Sequence, residues 1–158
     1  MFLSVFDLFK VGIGPSSSHT MGPMRAAERF LAMMRQSPFE FGGIKLRLHG
    51  SLAFTGIGHA TDRASILGLA GFTPATYKAE EAESVLARIA CTGEITPPDL
   101  PSLKFNKKED LVFDYGPNLP GHANGMVVMA TMMKTKLVQA KVNASDTLLL
   151  SFPTKVMY

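Results

Sequence analysis

The sequence predicts an α+β fold with helices packed on a mixed, mostly antiparallel sheet, and three observations lead there. Two stretches carry apolar residues at helical spacing. Three others read as strands, one alternating and two continuously apolar. The two kinds are interspersed without the regular strand–helix–strand rhythm of a parallel α/β sheet.

In chain order, residues 2–13 form a short apolar opening, expected as a helical turn leading into a strand or loop. Residues 12–23 break any regular pattern with Gly, Pro and hydroxyl side chains. From Met24, the apolar residues Ala27, Phe30, Leu31 and Met34 fall on one helical face, and Arg25, Glu28, Arg29 and Arg35 on the other. Pro23 suits the first turn of this helix and Ser37-Pro38 ends it. Residues 44–49 alternate strictly, Ile44, Leu46 and Leu48 against Lys45, Arg47 and His49, which predicts a half-buried strand. A glycine-rich loop then leads into a helix over about residues 60–70. A second amphipathic helix is expected over 79–90, with acids in its first turn and Gly93 as its stop. The segments 103–105 and 111–115, split by the turn-like 106–110, suggest a hairpin. Residues 126–133 and 147–152 are expected as strands, the first of them buried.

The whole chain, 1–158, fits one domain large enough to bury a substantial core. With 46% hydrophobic and 18% charged residues it has the balance of a soluble globular protein. Its longest apolar run, 126–133, falls far short of a membrane span. No basic n-region or small-residue cleavage site marks the start, so a cytoplasmic location is expected and no membrane partner. The net charge of +3 is scattered, and Lys104, Lys107 and Lys108 are followed at once by Glu109 and Asp110. Nucleic acid is therefore not an expected partner. A single cysteine, Cys91, excludes an intrachain disulfide and cannot by itself hold an iron–sulfur cluster. In its apolar context it reads as a buried structural thiol. No metal ligand set is expected within this chain.

Three segments could carry chemistry. Ser16, Ser17, Ser18, His19 and Thr20 sit in a Gly/Pro frame just before a helix, where hydroxyls and free backbone N–H groups together favour a carboxylate or phosphate. An ordinary N-cap would need only one of them. Residues 49–62 bring His49, His59, Asp62 and hydroxyl residues, Thr61 among them, into a strand–loop–helix span. At the mouth of the helix the macrodipole disfavours a protonated His59, and a neutral imidazole is what a general base needs near neutral pH. A plain capping pair of His59 and Asp62 explains the same residues equally well. His122 and Asn124 can present two polar tips to a small ligand, although Asn124-Gly125 is also a common turn dipeptide.

Residues 6–27 (FDLFKVGIGPSSSHTMGPMRAA) and 49–62 (HGSLAFTGIGHATD) closely resemble the signatures of the N-terminal beta domain of iron–sulfur-dependent L-serine dehydratases. His122-Ala123-Asn124 is similar to a His-x-Asn element shared with the allosteric substrate-binding domain of some D-3-phosphoglycerate dehydrogenases. The resemblance implies a fold of that beta-domain type and an L-serine ammonia-lyase, which forms pyruvate and ammonia in amino-acid catabolism and gluconeogenesis. It implies a [4Fe–4S] cluster whose ligands lie in a separate, cysteine-bearing alpha domain or subunit, so this fragment or subunit alone is expected to be inactive. An iron with an open position would act as a Lewis acid on the substrate hydroxyl. His59 is then the expected base or its close partner, with Asp62 as a second catalytic residue. Ser16, Ser17, Ser18, His19 and Thr20, with Thr61, are expected to bind L-serine. His122 and Asn124 are expected to form a separate serine effector site, and a homodimer is expected. The contrasting reading is a stand-alone serine- or anion-sensing regulatory module, which has no use for a second histidine-rich loop.

Overall fold

The computed structural model describes residues 13–119 and 123–132, together with the backbone of a strand at 147–153. The expected opening at 2–12 lies outside these residues. Helix α1 spans Met21–Gln36 and strand β1 Phe41–Gly50; a single helical turn, α2, covers Ser51–Phe54, and α3 covers Thr61–Leu69. Helix α4 (Ala79–Thr92) follows, then the short strands β2 (Glu94–Ile95) and β3 (Leu103–Lys104). A one-turn helix α5 (Lys107–Asp110), β4 (Leu111–Asp114), β5 (Asn124–Met132) and β6 (Thr147–Pro153) complete the order.

β1 organises the sheet, which runs β2-β3-β1-β5-β6 with β4 also on β1. On one side β1 runs antiparallel to β5 from Phe41↔Met132 to Gly50↔Asn124, and β5 runs antiparallel to β6. On its other side β1 meets β3 and β4 in succession, both parallel. The long pairings are thus antiparallel and the sheet is mixed, in keeping with the predicted class.

The expected hairpin over 103–115 does not form. The Asn106 side chain caps the segment by accepting from the Lys108 amide at 3.1 Å, and the Asp110 carboxylate accepts from the Asn106 amide at 2.8 Å. That closes a helical turn, and the chain leaves it in the same direction in which it entered. The two strands therefore lie end to end along β1 and do not face each other.

One face of α1 (Phe30, Leu31, Met34) packs with Ile44, Leu46 and Leu48 of β1, Met126, Val128 and Ala130 of β5, and Ile66 and Leu69 of α3. α3 is buried almost throughout, and Gly68 lets it approach α1: a Cβ there would stand 2.4 Å from the Met24 carbonyl oxygen. α4 buries Ala82 and Ile89 and ends on Gly93 at φ +68°, as its sequence predicts. Cys91 is exposed, which corrects the expectation of a buried thiol. It lies about 200° around the helix from the buried Ile89, so it does not share the position that packs into the core.

Candidate functional site

The end of β1 turns sharply at Gly50, where φ is +57° and a Cβ would meet the Ala123 carbonyl oxygen at 2.1 Å. The next amide, Ser51, donates to that same carbonyl at 2.9 Å, so residues 49–51 and 123–124 are locked together. The chain then coils through α2, and the Thr55 hydroxyl donates back to the Ser51 carbonyl at 2.8 Å. The Thr55 carbonyl in turn receives the His59 amide at 3.2 Å and His59 Nδ1 at 2.9 Å. A carbonyl oxygen can only accept, so Nδ1 carries a proton, and in the neutral ring the lone pair is then on Nε2. His59 is partly exposed. An imidazole oriented through Nδ1, with Nε2 facing away from that anchor, is the arrangement a general base requires.

The hydroxyl-rich loop folds over this segment. Gly14 makes the approach feasible, since a Cβ there would sit 2.6 Å from the His59 carbonyl oxygen. His19 and His59 then lie with ring centroids 5.0 Å apart and planes tilted by 32°. Both ring nitrogens of His19 are engaged by hydroxyls. Nδ1 lies 2.9 Å from Ser18 Oγ and 3.2 Å from Ser16 Oγ, and Nε2 lies 2.8 Å from Ser51 Oγ. Burial first, and the adjacent His59 second, hold the His19 imidazole below its ordinary 6.5. His19 is therefore neutral at pH 7, and so presents no like charge to its neighbour.

The remaining predicted residues divide by environment. Ser16 and Ser18 are partly exposed on the loop, and Ser17 is exposed. Thr20 is buried, and its hydroxyl donates to the Ser16 carbonyl at 2.7 Å, which ties the loop to the start of α1. Thr61 is buried at the start of α3, its Oγ1 without a partner among the described residues. Asp62 is paired with Lys107 of α5 at 2.7 Å, while His59 is oriented by a backbone carbonyl. Asn124 stands directly across the ladder from Gly50, one residue from Ser51. His122 lies outside the described residues.

Sequence reading missed Ser51 and Thr55 as parts of the site. Thr55 had a signal in its helical offset of four from His59. Ser51 had none, because its partner is 32 residues distant. No group of three or more His, Cys, Asp or Glu that could hold a metal ion exists among the described residues. A separate cavity of about 560 Å³ lies behind α3, lined among others by Arg63, Leu86, Cys91, Phe105 and Lys107, and none of the predicted site residues lines it. No helix among the described residues is long and apolar enough to cross a membrane.

Comparison with known proteins agrees with the resemblance. Residues 4–145 match the family model described as serine dehydratase beta chain. The chain is 42% identical over 132 residues to an L-serine dehydratase of Streptomyces coelicolor, covering 82% of this chain and 29% of that protein. It is 43% identical over 137 residues to one from Mycobacterium tuberculosis (82% and 28%). An L-serine dehydratase of Escherichia coli is 38% identical over 131 residues (81% and 29%). The chain thus spans under a third of the length of the curated relatives it matches.

Proposed function

The chain belongs to the serine dehydratase beta chain family, and from that premise we propose that it supplies substrate-binding and proton-accepting residues to an L-serine ammonia-lyase that forms pyruvate and ammonia. The observation that carries the reading is the pairing of His59, its Nε2 lone pair left open by the Thr55 carbonyl, with a neutral, hydroxyl-held His19 at 5.0 Å.

The chemistry required is removal of a weakly acidic α-proton and departure of a β-hydroxyl. In this proposal the substrate Cα–H bond breaks toward His59 Nε2, the electron pair forms the Cα–Cβ double bond, and hydroxide leaves from Cβ. The aminoacrylate then tautomerises and hydrolyses without further catalysis. Ser16, Ser17 and Ser18 are the hydroxyl donors available to the substrate carboxylate, in a loop that runs into the N-terminus of α1. Thr20 and Thr61 complete the proposed L-serine site and Asp62 is the second proposed catalytic residue; the Thr20 hydroxyl also ties the loop to α1 through the Ser16 carbonyl, and Asp62 pairs with Lys107.

The [4Fe–4S] cluster that the resemblance implies does not fit the donors of this chain: Cys91 is the sole cysteine, and one thiolate cannot hold it. In the proposal the cluster belongs to a separate alpha domain or subunit, and the present chain is inactive without it. His122 and Asn124 remain the proposed serine effector site, in an assembly proposed to be a cytoplasmic homodimer.

The test is made on the assembled dehydratase with L-serine as substrate. Changing His59→Ala is expected to lower turnover by about 10²–10⁴-fold, the usual contribution of a positioned general base, while the cluster absorbance stays intact. Near-normal turnover would place the base elsewhere. An assembly that binds serine yet forms no pyruvate even with His59 present would favour the sensing module.

A further inference from the structure

Ser51 is assigned no role by the reading above, yet it is the point at which three elements meet. Its amide donates to the Ala123 carbonyl at 2.9 Å, its carbonyl receives the Thr55 hydroxyl at 2.8 Å, and its hydroxyl lies 2.8 Å from His19 Nε2. Thr55 is also the residue whose carbonyl orients His59. One serine thus touches His19 directly and His59 through a single intermediate.

His19 gains much from this contact. On its other side Ser16 and Ser18 already approach Nδ1, at 3.2 and 2.9 Å. Without Ser51 the ring would be held at one nitrogen and free to swing about Cβ. With Ser51 it is fixed at both ends and presents its face to His59. Hydroxyls donate and accept equally well, so the three of them satisfy His19 in either neutral tautomer and give it no preference for a charge. The charged groups on the flanking elements are engaged elsewhere. Asp62 of α3 pairs with Lys107, Arg63 of α3 pairs with Glu83 of α4, and Asp114 of β4 pairs with Arg47 and His49 of β1. Among the described residues, each imidazole of the pair is therefore left with the other as its ionisable neighbour.

We propose that Ser51 is a positioning residue that closes a three-hydroxyl clamp on His19 and so holds this ring in place against His59. A cation forming on His59 during proton abstraction then faces an uncharged ring. Were His19 loose and freely protonated, it would face a like charge, and like charges at such range each disfavour the other's ionisation. The catalytic meaning of the clamp rests on His59 being the base; the clamp itself does not.

The test accordingly avoids turnover and uses the isolated chain, labelled with ¹⁵N in its histidines. Long-range ring spectra through mildly acidic pH, with ring-to-ring NOEs, report both tautomer and contact. In the parent chain His19 is expected to titrate below its ordinary 6.5 and to show NOEs to His59. Ser51→Ala is expected to abolish those NOEs, to move the His19 titration upward and to average its ring signals. Ser51→Thr, which keeps the hydroxyl, is expected to restore all three. Amide spectra check that both variants are folded. Unchanged His19 signals in a folded Ser51→Ala chain overturn the proposal, and so does a folded Ser51→Thr chain that behaves like Ser51→Ala. Neither result depends on whether His59 is later found to be the base.

Discussion

His19 should make this protein sensitive to acid, and the direction follows from its environment. Burial and His59 place its folded-state value below the 6.5 of an unconstrained histidine. Between the two values the unfolded chain binds the proton more readily, so stability rises with pH across that window. The contribution is neutral above 6.5 and becomes a penalty as pH falls toward the folded value, below which it is constant. Urea midpoints at neutral and mildly acidic pH, compared between the parent chain and His19→Gln, isolate it. The parent is expected to lose more stability on acidification than the variant, and equal losses would show that His19 protonates in the fold without penalty. At this scale the sequence was legible where residues are adjacent and illegible where they are not. The SSSHT run and the 49–62 span could each be recognised from composition alone, as could the balance between base and cap at His59. The two motifs together suggest one pocket shared by the SSSHT turn and His59, but the ring-on-ring contact itself could not be read, because it depends on Gly14 admitting a backbone carbonyl. Cys91 went wrong for a related reason: apolar neighbours in sequence say little about which side of a helix a residue occupies.

Helix α1 follows the SSSHT loop, and α3 follows His59, so the crossing of these two helices sets the distance between the proposed functional loops. That crossing is close because residue 68 has no side chain. A Cβ on Gly68 would meet the Met24 carbonyl oxygen at 2.4 Å and the Ala27 Cβ at 2.8 Å. Backbone cannot yield as a flexible side chain can, so Gly68→Ala must push the helices apart. The overpacking should destabilise the chain by about 1–3 kcal/mol, measured by urea unfolding. The same displacement should weaken the His19–His59 ring contact, seen as a loss of NOE intensity. A variant of unchanged stability and unchanged NOEs would mean that α1 and α3 slide freely, against the packing described. Periodicity read α1 well, since it buries the face its sequence predicts, and β1 alternates as expected through residues 44–48. The 103–115 segment misled because its composition suits a turn, whereas Asn106 and Asp110 satisfy backbone amides in a way that closes a helical turn. The choice between the two lies in side-chain geometry, which a hairpin template does not consider.

On the scale of the molecule, the sheet joins what the sequence kept apart. The His-x-Asn element reads as a site separate from the histidine-rich loops, yet the β1–β5 ladder sets Asn124 opposite Gly50, and the Ala123 carbonyl holds the Ser51 amide. A ligand that shifts residues 122–124 would therefore bear on Ser51, and through its hydroxyl on His19, without any change of fold. If these residues form an effector site, the two sites differ in occupancy but share a strand end, and coupling between them follows from that shared backbone. In the assembled dehydratase, His122→Ala and Asn124→Ala are then expected to change the shape of the L-serine saturation curve and to leave turnover at saturating serine close to that of the parent. Steady-state rates over a wide range of serine concentration measure both. A curve of unchanged shape with a large fall in saturating turnover would instead put Asn124 in the same pocket as His19, so that the element opposite Gly50 acts on the reacting molecule and not on a second one.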